Sequence, residues 1–162
     1  MLIRTATLSD CPAISAIYNH YVLHDTCTYQ EEPDTLEERE KWFAAHGPQH
    51  PVIVAEEAGQ VVGWASLSPY NPRSAYRYTV ENSIYLHPDW RRRGIGKLLL
   101  QELIDRARVL GYRAIIAGVS AEQVGSLQIH EKFGFIKVGH LNRVGFKHSQ
   151  WLDVVYLQLE LE

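Results

Sequence analysis

The sequence predicts an α/β fold of the α+β kind, a mixed and mostly antiparallel sheet with helices on both faces. Three observations predict it. Segments with strand and helix periodicity follow one another in the order βααβββαβαββ. A tight turn signal, Ala58-Gly59, joins two apolar runs as a hairpin. A long amphipathic helix joins two further strands, as a right-handed parallel crossover does. A chain of 162 residues suits one core, so residues 1–162 read as a single domain.

Each element has a local cause. Leu2 to Ala6 alternates and reads as a short strand. Ser9 and Asp10 are cap residues, Pro12 suits a first turn, and Ile14, Ile17, Tyr18 and Tyr21 follow at helical spacing. Asp34 opens a second helix, with Glu37 and Glu38 near its positive end and Trp42 and Phe43 as its anchors. Pro51 to Glu57 and Gln60 to Leu67 form the hairpin, and a polar, aromatic loop runs from Ser68 to Tyr78. Thr79 to His87 reads as a strand that Pro88 ends. Gly94 to Leu110 is the clearest helix, with a stripe of Leu98, Leu99, Leu103, Ile104, Ala107 and Leu110 and with Gly111 closing it. Arg113 to Val119 is an apolar strand, Val124 to Phe133 a helix, and Ile136 to Val144 and Trp151 to Leu161 are the last two strands.

Composition excludes several classes. Apolar residues at 46% and charged residues at 22% are an ordinary globular balance. A formal charge of −3 offers no basic field for nucleic acid. Two cysteines, Cys11 and Cys27, make no disulfide framework, so the chain reads as cytoplasmic. Neither a signal core nor a membrane-length apolar run appears. His20, His24, His46, His50 and His140 show no ligand spacing with acids or cysteines, so no metal is expected.

The strongest chemical signal is the run from Tyr85 through His87-Pro88-Asp89-Trp90-Arg91-Arg92-Arg93-Gly94-Ile95-Gly96-Lys97, which passes from strand to glycine-punctuated loop to helix. Backbone N–H groups at such a helix start, together with the helix dipole, bind phosphate or diphosphate. Arg92, Arg93 and Lys97 add positive charge there. The run is neither GxxxxGK[ST] nor GxGxxG, and glycine spacing alone also fits a capped surface helix with a basic turn.

In its context, the run resembles the [Q/R]-x-x-G-x-G signature of the GNAT N-acetyltransferase superfamily. A later segment, Ser126-Leu127-Gln128-Ile129-His130-Glu131-Lys132-Phe133-Gly134-Phe135, resembles that superfamily's second signature. The stretches Arg73 to Tyr85 and Gly145 to Asp153 are similar to the phosphinothricin N-acetyltransferase branch. The resemblance implies a GNAT fold with a splayed central strand pair. It implies acetyl-CoA as co-substrate and direct transfer to the amine of a small amino-acid-like molecule, with a homodimer as the common assembly. Acetylation of a peptide N-terminus or lysine, or acyl-CoA binding without turnover, are the other readings.

The resemblance also assigns residues. Ile84, Tyr85 and Leu86 would pair with the pantetheine arm, Arg92, Arg93, Gly94, Ile95, Gly96 and Lys97 would hold the diphosphate, and Gln123 with Ser126 would make the later contact. The family usually has asparagine at the Gln123 position. Glu81 matches the branch's general base, and its place on the strand before the cradle suits that role. His130 matches the position of a second proton-transfer group, which is tyrosine in many superfamily members. Arg73 and Tyr76 match positions that hold the substrate's acidic groups, Tyr29 an aromatic wall, and His148 a closing loop. A branch lysine two residues before the arginine is Asn71 here.

Overall fold

The computed structural model describes residues 1–162. In chain order the elements are β1 (Leu2–Thr5), α1 (Cys11–His24), α2 (Leu36–His46), β2 (Val52–Glu57), β3 (Gln60–Pro69), β4 (Thr79–Leu86), α3 (Ile95–Val109), β5 (Ala114–Ser120), α4 (Val124–Lys132), β6 (Ile136–Lys147) and β7 (Gln150–Glu160). They build one seven-stranded sheet in the order β1-β2-β3-β4-β5-β7-β6. Every neighbouring pair is antiparallel except β4 and β5, which α3 joins as the parallel crossover. The element order and the mixed sheet agree with the sequence reading, and no helix is long and apolar enough to cross a membrane.

The sheet carries a core on each face. The larger one packs Leu99, Leu100 and Leu103 of α3 and Leu127 of α4 on Val80, Ile115, Ala117 and Leu157. The smaller one packs Ile14, Ile17 and Tyr21 of α1 on Val52, Val54 and Trp64, with Trp42 and Phe43 of α2 beside it. Successive residues of a strand face opposite sides, so β4 serves both cores. Val80, Ile84 and Leu86 face α3, whereas Tyr85 joins the aromatic cluster against α1.

Several local readings change. In α3, Leu98 is 48% exposed while Ile95 and Leu100 are buried, so the inward stripe is rotated from the one chosen. Leu110 is half-buried beyond the helix end. Helix α2 begins at Leu36, capped by Thr35, whose Oγ1 accepts from the Glu38 N–H at 3.1 Å. Asp34 instead accepts Arg39 at 2.8 Å. Arg39 is the buried residue of α2, lying over the rings of Trp42 at 4.5 Å and Tyr18 at 4.7 Å. Asp10 does not cap α1 with its side chain. Its carboxylate takes the Thr7 N–H and both Arg4 Nη groups, and the Arg4 partnership holds it below the usual carboxylate range. Strand β6 continues past Val144 to Lys147, through a bulge between Leu141 and Gly145 that restores its pairing with β7.

Candidate active site

The two central strands part company. β4 pairs with β5 only over Thr79–Glu81 and Ala114–Ile116. Beyond that point β3 holds β4 as far as Leu86, and β7 holds β5 as far as Ser120. The His87 N–H donates to Val62 O at 2.8 Å, which fixes the phase of the β3–β4 ladder. By antiparallel alternation Tyr85 and Ser83 bond to β3, while Ile84 and Leu86 turn their main-chain groups into the gap. The Tyr21 hydroxyl donates to Leu86 O at 2.5 Å, which that phase allows, and leaves the Leu86 N–H and both main-chain groups of Ile84 free. Of the three residues expected to offer their backbone here, Tyr85 therefore does not, because its amide and carbonyl face Trp64 on β3.

The gap opens into a cleft of about 520 Å³. Its upper end is the loop before α3. Gly94 stands at φ +81°, a left-handed conformation that favours glycine, and Arg92 shares that region at φ +61°. The N–H groups of Arg92, Arg93 and Gly94 find no main-chain acceptor, and no side chain caps α3. The first-turn N–H groups of Ile95, Gly96 and Lys97 have no intrahelical partner either. A Cβ built on Gly94 would meet nothing within 4 Å, so the loop is open on that side. Arg92, Arg93 and Lys97 are exposed around it, and Arg91 and Gly96 reach the cleft wall. The arrangement is an anion cradle beside a strand with free main-chain groups, and it fits a long ligand ending in a diphosphate.

At the lower end, where β4 and β5 meet, stands Glu81. Its side chain shares a face with Gly118 of β5 and Tyr156 of β7, which pair across their strands. A Cβ at Gly118 would lie 3.3 Å from the Tyr156 ring and 3.8 Å from Glu81 Oε1, so the glycine lets the two side chains approach over β5. Glu81 has no ion-pair partner, and burial raises its pKa above the ordinary carboxylate value. A carboxylate desolvated without a cation is suited to accept a proton.

His130 lines the cleft from α4, on the other face. Its Nδ1 lies 2.7 Å from Ser126 O, which can only accept, so that nitrogen carries the hydrogen. Nε2 then accepts from Asn82 Nδ2 at 3.0 Å. Burial lowers its pKa and favours the neutral ring. In this state His130 has no proton to give toward the cleft, so the geometry ties it to the placement of Asn82.

Tyr29 lines the cleft from the loop after α1. Its ring packs so close to Gly145 that a Cβ there would fall 2.7 Å away, and its hydroxyl lies 2.7 Å from both Ser120 Oγ and Asp153 O. Gln123 and Ser126 also line the cleft. The Gln123 amide donates to Asp25 Oδ1 at 3.1 Å, tying the loop after α1 to the start of α4. Arg73, Tyr76 and His148 are not brought to the cleft wall. Arg73 and Tyr76 sit exposed on the β3–β4 loop, Tyr76 against Tyr70, and His148 occupies the exposed β6–β7 turn. The β3–β4 loop nevertheless enters β4 just before Glu81. Sequence reasoning missed Arg91, Asn82, Gly118, Ser120 and Tyr156. Only the alternation along β5 and β7, counted from the Glu81 level, could have picked out the last three.

Comparison with known proteins agrees with this geometry. Residues 14–135 match the Acetyltransferase (GNAT) family. The chain is 39% identical to L-amino acid N-acyltransferase MnaT of Escherichia coli, across 100% of this chain and 95% of that protein. It is 38% identical to an L-methionine sulfoximine/L-methionine sulfone acetyltransferase of Salmonella typhimurium, again across 100% and 95%. A crystal structure of a GNAT superfamily phosphinothricin acetyltransferase from Sinorhizobium meliloti, in complex with acetyl-CoA, superposes with a TM-score of 0.96. That protein is 39% identical, over 99% of this chain and 88% of the other.

Proposed function

Because the chain belongs to the GNAT acetyltransferase family and is an acetyltransferase, we propose that it acetylates the amino group of a small amino-acid-like molecule. Acetyl-CoA is the donor, and the acceptor is of the methionine sulfone, methionine sulfoximine or phosphinothricin type. The observation that carries this reading is the gap itself: an anion cradle at one end, a desolvated carboxylate at the other, and free main-chain groups between.

Arg92 to Lys97 hold the diphosphate with their N–H groups and positive charge, and Ile84 and Leu86 pair with the pantetheine arm as an added strand would. Acetyl-CoA supplies an acetyl group activated as a thioester. Glu81 takes the proton from the incoming ammonium, directly or through a water, so that the neutral nitrogen can attack. The C–N bond forms at the thioester carbon to give an oxyanion, the nitrogen passes its second proton to solvent, and the C–S bond then breaks with the thiolate taking a proton from solvent. A main-chain N–H of Ile84 or Leu86 steadies the oxyanion. His130 acts as a positioning group for Asn82 and β4. Tyr29 walls the acceptor side, while Arg73, Tyr76 and His148 reach the acceptor only from loops at its rim.

Residues 1–162 act as one domain in this account, in the cytoplasm, where the two unbridged cysteines fit a reducing compartment. A homodimer is supported by the outer strand β6. It is an open sheet edge with Leu141, Val144 and Phe146 exposed, beside exposed Trp151 of β7. Thiol release from acetyl-CoA across a panel of amines tests the function. Turnover with methionine sulfone and none with peptides is expected; release with peptides alone, or with no amine, would overturn it.

A further inference from the structure

The acceptor side of the cleft holds a hydroxyl that no protein group uses. On this face Ser120 Oγ donates to Glu122 Oε2 at 2.6 Å and lies 2.7 Å from the Tyr29 hydroxyl. Tyr29 in turn donates to Asp153 O at 2.7 Å. Thr28 Oγ1 is engaged by the Tyr18 hydroxyl at 2.9 Å. The hydroxyls of Ser120, Tyr29 and Thr28 are thus all engaged. The Tyr156 phenol is half-buried, lines the cleft and has no partner in the chain. Ser83 is also free, but it stands two residues further along β4, toward Leu86 and the cradle.

Position gives this phenol a task. β4 and β7 flank β5, so their backbones stand about 10 Å apart. Glu81 and Tyr156 approach from either side over Gly118, where a Cβ would lie 3.3 Å from the Tyr156 ring and in ordinary contact with Glu81. The charge inventory sets the rest. Arg91 is the one lysine or arginine in the cleft wall, and it belongs to the cradle end. Arg73 stands on the exposed loop at the rim and does not line the cleft, so beside Glu81 the free donor facing an oxygen next to the acceptor's amine is the neutral phenol.

The geometry points to Tyr156 as the residue that orients the acceptor: its hydroxyl donates to an oxygen carried near the reacting amine, the α-carboxylate of an amino acid, while Glu81 takes the ammonium. This inference rests on the acetyl-transfer reading above. It makes the Glu81–Gly118–Tyr156 niche the place where an amino acid is told from a plain amine. A neutral donor to a charged oxygen contributes enough to change affinity on the order of tenfold.

The test is steady-state kinetics of the purified protein and Tyr156→Phe with two acceptors, methionine sulfone and n-hexylamine, which has no oxygen. In the variant, KM for methionine sulfone should rise about tenfold. KM for acetyl-CoA and for hexylamine, and the shape of the pH–rate profile, should not change. An unchanged KM for the sulfone overturns the inference, and so does an equal rise with both amines, which would mean altered packing. A wild-type kcat/KM for hexylamine equal to that for the sulfone overturns it too. If the wild type transfers acetyl to no amine, the acetyl-transfer reading falls first and this inference falls with it.

Discussion

Glu81→Gln separates chemistry from binding and from folding in one variant. The carboxylate makes no ion pair and burial alone shifts it, so the isosteric amide removes charge without stranding a partner. A positioned general base contributes about 10²- to 10⁴-fold, which is about 2.7–5.4 kcal/mol of barrier. Turnover should therefore fall by at least a hundredfold. The Kd for CoA should stay within about twofold, because the cradle and the free groups of Ile84 and Leu86 belong to main chain that the substitution leaves alone. The wild-type rate should rise with pH through a pKa above the carboxylate norm, and the variant should lose that limb. Stability should move the other way. The folded state holds the Glu81 proton more tightly than the unfolded chain does, so the carboxylate costs stability as pH climbs above the unfolded value of 4.5. The variant should melt higher than wild type at pH 7, and the difference should vanish below that value. A thiol-reactive chromogen follows turnover, titration calorimetry the affinity, and thermal melts the stability. Unchanged turnover across the pH range would refute the role of Glu81, and a variant less stable at pH 7 would refute the account of its burial.

Other substitutions probe the frame. Gly94→Val should weaken CoA binding by tenfold or more, since a branched side chain is strained at φ +81° and would shift the loop that presents the N–H groups; calorimetry reads it. Gly145→Ala should lower stability by about 1–3 kcal/mol in urea melts, because its methyl would fall 2.7 Å from the Tyr29 ring. It should also raise the acceptor KM as Tyr29 is displaced. Changing Phe146 and Trp151 together to lysine should yield monomers by light scattering, since the two rings sit 4.9 Å apart on the exposed end of the β6–β7 ribbon.

The topology was legible because it rests on local signals. The Ala58-Gly59 turn, the glycine at the start of α3 and the breaks after β4 and α3 are each written within a few residues. The cradle was legible for the same reason, and Glu81 was found through the motif around it. Readings that depend on rotation or on distant partners were not. The stripe of α3 turned because Leu98 and Leu100 are equally apolar, and only the sheet beneath decides which one enters. Nothing in the sequence marks Arg39 as buried, because its charge is met by Asp34 and three aromatic rings that come from separate elements. Tyr156 and Gly118 gave no signal beyond strand alternation, since their placement arises from β7 lying against β5 at the level of Glu81, a register set by pairing across the sheet.

Diffraction from a crystal of the protein with acetyl-CoA tests the central claim most directly. The diphosphate should lie against the N–H groups of residues 92–97, with the pantetheine arm bonded to Ile84 and Leu86 and the thioester ending near Glu81. A diphosphate bound elsewhere on the molecule, or an arm that leaves the gap between β4 and β5 empty, would contradict it.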